Sequence, residues 1–452
     1  MNFNIKREIE IKMLNSKFSR KHFSISTKAA FEYLVILISL CVFLFSIIMN
    51  DQKISMQLIA LSTLFLSIYL AIKYKNNIGL FIIYALIAYF NYSIIMVDYI
   101  KIPVNSYFTS FANDPVSYLG LNILFLFTLL LVIFSPIDIK QTYFGKYSYI
   151  KEKYSNVFIM TFLISFILLY ILIFQYKRPA TLGVRGSPTP IYEYSIIFFI
   201  IGFHFVGNFK PSRAILSVLL VLFILQNFIF GGRIIGLELL VLYFLMFYSY
   251  KTKINNIIPL LIIGFIFMSL IGMQRASINL SYDKIKMVIE NIKLKMGTLD
   301  TSYSAYFTSL TFLKVKDKIS LNTQIELLKQ FILSIFFGSK IENSSLPIYT
   351  RNFYVHYNGG LLPYYFYFYC GWIGVIISAL FINLYTIIIK SKLSKNGGFI
   401  NCLTVYFVST TFRWYLYSPI TILRGVLLLG IIYMLFDFIY KLKYDKKIDV
   451  NI

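Results

Sequence analysis

Apolar runs of membrane-crossing length alternate with short polar breaks along almost the whole chain. A helix needs about 20 apolar residues to cross a bilayer. On that ruler the pattern predicts about twelve spanning helices, near 30–49, 54–72, 78–97, 117–135, 156–174, 191–208, 213–230, 232–249, 256–273, 361–389, 398–413 and 418–440. One long connection, 274–360, separates the ninth from the tenth. There is no short-period repeat and no segment the size of an ordinary soluble domain. The reading is an all-α, polytopic integral membrane protein, one membrane domain over 1–452 with one long loop.

Composition agrees. The 452 residues are 58% hydrophobic, 19% aromatic and only 14% charged, with a mean hydropathy of +0.73. A soluble domain carries about 25% charged residues. The net charge of +24 would suit nucleic acid if it lay on one soluble face. It falls instead in short clusters between apolar runs, so no nucleic-acid partner is expected and the charge reads as topology. Lys6, Arg7, Lys12, Lys17, Arg20, Lys21 and Lys28 precede the first run. Basic clusters then recur in every second loop: Lys73 and Lys75, the stretch 140–153, Lys210 and Arg213, Lys251 and Lys253, Lys390 to Lys395, and the tail from Lys441. Basic loops face the cytoplasm, which predicts both termini inside the cytoplasmic membrane and the 274–360 loop outside. Cys41, Cys370 and Cys402 all lie in apolar runs and read as small core residues, with no disulfide framework. The first run shows no cleavage pattern of a signal peptide.

This orientation leaves a set of basic residues on the external side, against the usual bias. "QYKRPATLGVRGSPTP" carries Lys177, Arg178 and Arg185. Arg233 opens the eighth predicted helix, Arg275 follows the ninth, Arg351 precedes the tenth, and Arg413 and Arg424 sit at the external ends of the last two. Arginine forks bidentately onto phosphate oxygens, so the set suits a lipid-linked phosphate or pyrophosphate. Each arginine alone could instead snorkel to headgroups or meet one of the few nearby acids, Glu193 and Glu238. Arg233 follows Gly231 and Gly232 at a helix start, where unpaired N–H groups and the helix dipole favour an anion. The same glycines would serve a tight turn between two helices. Glu238 lies about 7–8 Å deeper. Arg424 lies at similar depth, so the two are candidates for a pair, with a substrate contact as the alternative.

Of three histidines, His22 reads as solvated and His204 as packed within a helix. His356 sits in "RNFYVHYNGGLLPYYFYFYCGWIGVII" beside Arg351 and Asn358, where an imidazole is a candidate base near neutral pH. No HExxH, cysteine pair, DxD spacing or P-loop accompanies it, so no metal and no cofactor is expected. The aromatic run 364–369 suits either stacking on sugar rings or an interfacial belt.

"FGGRIIGLELLVLYFLMF", an arginine after the next helix, and a long external loop ending in "HYNGGLLPYYFYFYCGWIGVIIS" together resemble Wzy-type polysaccharide repeat-unit polymerases, which are related to the O-antigen ligases. The likeness covers about the C-terminal half of the chain. It includes Gly371 and Gly374 at the loop exit, whereas His356 and Asn358 are separated here by Tyr357. The resemblance implies a GT-C-like membrane fold and a polymerase that joins undecaprenyl-pyrophosphate-linked oligosaccharides into O-antigen or capsular polysaccharide, with inversion and without a metal. It implies that Arg233 and Arg275 hold the pyrophosphate and that His356 serves the acceptor hydroxyl. Arg178, Arg185, Arg351, Arg413, Arg424, Asn358 and Glu238 complete the candidate substrate-binding set. Membrane lipids, a chain-length regulator and a flippase are the implied partners. A ligase with another acceptor, or a flippase of lipid-linked oligosaccharides, is the alternative class.

Overall fold

The apolar runs of the N-terminal half become α1 (Thr27–Ile48), α2 (Gln52–Lys73), α3 (Ile78–Asp98), α4 (Pro115–Phe134) and α5 (Tyr154–Phe174). A two-residue hairpin follows, β1 (Tyr176–Lys177) against β2 (Ser187–Pro188), then α6 (Pro190–Glu193), α7 (Ser195–Val206), α8 (Lys210–Ile229) and α9 (Arg233–Phe247). The long connection holds α10 (Asp300–Lys316), α11 (Leu321–Phe337) and α12 (Leu346–Thr350), and the chain ends in α13 (Leu362–Lys392), α14 (Gly398–Ser409), α15 (Thr411–Leu416) and α16 (Ile420–Asp445). The computed structural model describes residues 27–49, 51–103, 114–136, 154–177, 186–230, 232–248, 286, 290, 293–294, 298, 300–338, 341–356, 359–392 and 398–445. The span predicted at 256–273 lies outside these residues; all the other predicted spans correspond to helices.

Among the described residues, eight helices are long and apolar enough to cross a membrane: α1 to α5, α8, α13 and α16. The chain is therefore an all-α polytopic membrane protein. Three predicted spans turn out shorter: 232–249 becomes the 15-residue α9, and two others break near one end. The run 191–208 is interrupted at Tyr194, leaving α7 with 12 residues. The run 398–413 is interrupted at Thr410, which separates α14 from α15. Hydropathy averages over such breaks. Start signals are explicit elsewhere: Asp51 caps α2, Asn77 caps α3, and Asp114 caps α4 just before Pro115. Each side chain accepts first-turn N–H groups that have no partner within the helix.

Helices α1 to α4 pack with α13, and α5 packs with α7, α8 and α16. Helix α14 touches α3, α7, α9, α13 and α16, and so joins the two groups. The outward faces of α1, α5, α8 and α16 expose large apolar side chains, among them Phe158, Phe162, Phe166, Ile229 and Met434. The end of the bundle that carries the C-terminus of α3 and the N-termini of α4, α9 and α13 is called the upper end below. At the lower end, Lys73 is buried against Glu32, 2.9 Å away, and donates to the Ser135 hydroxyl at 2.7 Å, which ties α2 to α1 and to the end of α4.

The long connection is not a peripheral appendage. Helix α10 packs across the upper ends of α3, α4 and α13. Tyr303, Tyr306, Thr308, Ser309, Leu310 and Phe312 on it are all buried. Two of its hydroxyls are satisfied locally: Ser309 Oγ donates to the Ala305 carbonyl and Thr311 Oγ1 to the Thr308 carbonyl, both at 2.7 Å. Its ends are fixed by polar contacts, with Tyr303 donating to Asp98 and Lys314 paired to Asp114.

The run 364–369 is neither a sugar platform nor a belt as a whole. Tyr364, Tyr365 and Phe368 are buried in the core, with the Tyr364 hydroxyl on the Gly120 carbonyl at 2.9 Å and the Tyr365 hydroxyl on the Tyr417 carbonyl. Three residues on, Gly371 adopts φ +59° and kinks α13. A kink strands carbonyls one turn earlier. Lys316 reaches across from α10 to the carbonyls of Tyr367 and Phe368 at 2.8 and 3.1 Å.

Candidate functional site

The described candidate residues lie at the upper end, joined by a chain of short contacts. The hairpin β1–β2 pairs Tyr176 with Pro188 and Lys177 with Ser187. Gly186 N–H donates to the Phe230 carbonyl at 3.1 Å, and the ring of Tyr176 lies 5.6 Å from that of Phe230. Phe230 is three residues before Arg233. The hairpin is thus fastened beside the start of α9. Arg178 and Arg185 themselves, with Arg275 and Asn358, lie outside the described residues.

Gly232 serves the turn. Its N–H donates to the Asn227 carbonyl at 2.7 Å, and a Cβ there would come within 2.6 Å of Asn227 Oδ1. Asn227 in turn donates to the Tyr192 hydroxyl and the Phe223 carbonyl, both at 2.8 Å. The close hairpin brings Arg233 to N1 of α9. The N–H groups of its first turn have no acceptor inside the helix.

From Tyr192 the chain of contacts continues to Glu193, which pairs with Arg413 of α15. Tyr194 lies against both Arg413 and Arg424. Glu238, one turn into α9, is 1% exposed, and its Oε1 has no hydrogen-bond partner. Arg413 is the foremost basic charge acting on it. The pairing of Glu238 with Arg424 expected from depth is not formed. Arg424 turns the other way: Nε donates to the Ile335 carbonyl at 3.4 Å and Nη2 to the Ser334 carbonyl, at the C-terminus of α11. Two residues at a similar distance from their helix starts, on different helices, face different neighbours. Sequence reasoning named Glu193 as one of the few acids near the external arginines but missed Tyr194, and it missed Tyr406, on which the charges of Glu238, Arg413 and Arg424 all act.

Helix α15 then leads to the histidine loop. Gly360 N–H donates to the Leu416 carbonyl at 2.7 Å, and Gly359 and Gly360 take φ of +134° and +153°. A Cβ on Gly360 would come within 2.4 Å of the Phe312 ring. This turn holds His356 close to α12. His356 is buried, and its Nε2 lies 2.9 Å from Thr350 Oγ1. That hydroxyl also meets the carbonyls of Leu346 at 3.0 Å and Pro347 at 3.3 Å. Which of the two groups donates in this contact depends on the ring tautomer. Arg351, exposed, donates from Nε to the His356 carbonyl at 3.3 Å, which fixes the loop backbone. The other internal histidine, His204, lies 3.3 Å from the Tyr433 hydroxyl at the opposite end of the bundle.

The chain matches no known family model, no curated protein and no solved structure. The chemistry of the upper end must therefore be argued from its residues. Arg413 and Arg424 are held by a carboxylate and by helix-end carbonyls, so they shape the wall of the site. Arg233 is placed at a helix start, and His356 is oriented by Thr350. Among the described residues, no three of His, Cys, Asp and Glu come together as metal ligands would.

Proposed function

We propose that the chain is a membrane glycosyltransferase that polymerises oligosaccharide repeat units carried on undecaprenyl pyrophosphate. The product is O-antigen or capsular polysaccharide, made at the external face of the cytoplasmic membrane. In this reading the chain crosses about twelve times in a GT-C-like arrangement, with 256–273 as a further span, both termini cytoplasmic and the upper end external. The observation that carries the proposal is the shared location of two groups. An arginine at a helix start and an oriented histidine lie at the same end of the bundle, linked through Glu193, Arg413, Leu416 and Gly360.

The chemistry follows from these roles. The acceptor hydroxyl oxygen attacks the anomeric carbon of the donor sugar, and the bond from that carbon to the pyrophosphate oxygen breaks with inversion. The hydroxyl proton passes to the His356 imidazole, a transfer that contributes about 10²–10⁴-fold when a base is well placed. The pyrophosphate leaves with its negative charge held by Arg233 and Arg275, and by the arginines of the 178–185 loop. Positioned cations at a developing anion lower the barrier electrostatically. Arg413 and Arg424 act indirectly, by holding α15 and α11 in place.

The test is a cell that makes the polymer only through this chain. Arg233→Ala, Arg275→Ala and His356→Ala are expected to leave single lipid-linked units at normal protein level. Arg233→Lys keeps the charge but loses the planar fork, so polymer should fall there too. Full-length polymer from the His356→Ala cell would remove the histidine from the reaction.

A further inference from the structure

Helix α11 divides in composition along its length. Its N-terminal part, capped by Ser320, carries Asn322, Gln324, Glu326, Lys329 and Gln330. Its last seven residues, "FILSIFF" over 331–337, are apolar except for Ser334, whose hydroxyl donates to the Phe331 carbonyl at 2.6 Å. Ile332, Leu333, Phe336 and Phe337 are 47%, 45%, 66% and 67% exposed. In water such a helix end would be an unfavourable surface.

Arg424 fixes the depth of that end. It lies four residues after Ile420, the start of α16, hence about 6 Å inside a membrane-crossing helix at 1.5 Å per residue. Its two donors reach the Ser334 and Ile335 carbonyls. The Ser334 carbonyl already accepts from the Gly338 N–H, whereas the Ile335 carbonyl, one of the last four, has no N–H donor within the helix. In water it would be hydrated, and an arginine would add little. In hydrocarbon each unsatisfied group is expensive, and the arginine charge also needs acceptors. One contact serves both, and a cation at a helix C-terminus is favoured by the dipole. The exposed apolar face of α11 then continues the exposed face of α16 at Leu427 and Ile431.

We propose that α11 is a half-inserted helix whose C-terminal end dips into the outer leaflet, with Ile332, Leu333, Phe336 and Phe337 covered by lipid chains and Arg424 as its anchor. The occupant is lipid because the surface is continuous with a lipid-facing span and because Arg424 gives the Ile335 carbonyl the donor that water would otherwise supply. This inference does not depend on the reaction proposed above.

The experiment is site-directed spin labelling of the full chain in lipid vesicles, after replacing Cys41, Cys370 and Cys402. Single labels at 332, 333, 336 and 337 should be reached by oxygen and shielded from a water-soluble nickel chelate. Labels at Asn322 and Glu326 should show the reverse. In the Arg424→Gln background the label at 336 should gain nickel accessibility. Nickel access at 336 and 337 in the native background would overturn the proposal. So would shielding from both reagents, which would mean that a protein partner or a second copy covers the face. Unchanged accessibility at 336 in Arg424→Gln would overturn the anchoring role.

Discussion

The partner of each upper-end charge can be measured by two double-mutant cycles run side by side. In the first, Glu193→Gln and Arg413→Gln are made singly and together. An exposed ion pair contributes about 0–1 kcal/mol, and breaking a fully buried one costs about 3–5 kcal/mol. The side chains of Arg413 and Glu193 are 18% and 28% exposed, between those limits. The coupling should therefore be about 1–3 kcal/mol. In the second cycle, Glu238→Gln and Arg424→Gln are combined. Arg424 donates to two carbonyls of α11, and hydrogen bonds involving a charged group are each worth about 1.5–3 kcal/mol. A glutamine recovers part of this, so Arg424→Gln alone should cost about 2–4 kcal/mol. Because Arg424 does not contact Glu238, the pair should be additive within about 0.5 kcal/mol. The assay is reversible unfolding of purified protein in mixed micelles. Coupling in the second cycle equal to or larger than in the first would refute the assignment of partners.

Three further outcomes follow from other contacts. Lys73→Met should destabilise the protein by about 3–5 kcal/mol by stranding buried Glu32, and adding Glu32→Gln should restore much of it, read in the same unfolding assay. At Asp114, partial burial acts to raise the carboxyl pKa, but the hydrogen bond and charge of Lys314 and the Val116 N–H outweigh it and hold the carboxyl below its ordinary range. A depressed carboxylate gives stability that is present above the unfolded value near 4 and lost as pH falls through the folded one. Melting temperature should therefore drop below about pH 4, with a smaller drop in Lys314→Met. A single cysteine at Ser320, in a cysteine-free background, should react in intact cells with an impermeant reagent while one at Lys12 does not; the reverse pattern would invert the orientation.

The spans were legible because hydrocarbon length is a strong and local signal. Within the described residues the predicted runs reappear as helices, and the errors fall where a break is short, as at Tyr194 and Thr410. The depth of α10 was not legible. The sequence there reads only as a long external loop, yet the helix is buried, with Ser309 and Thr311 bonded to carbonyls of its own turns. The aromatic run 364–369 was misread for a related reason: period and composition do not say that α10 covers it. The arginines of the upper end were legible as a set but not as partners. Arg424 meets helix-end carbonyls, and no sequence pattern marks the end of α11 as its neighbour. Arg413 meets Glu193 across more than 200 residues, which only the fold brings together.

The central claim is that the upper end joins lipid-linked repeat units. The direct measurement uses purified protein in lipid vesicles, given undecaprenyl-pyrophosphate-linked repeat units and no other enzyme, with the products resolved on a gel. The account predicts a ladder of lengthening oligosaccharides with release of undecaprenyl pyrophosphate, absent with Arg233→Ala and with His356→Ala although both proteins fold. Movement of the lipid-linked units across the bilayer with no ladder would contradict it, and would make the chain a transporter.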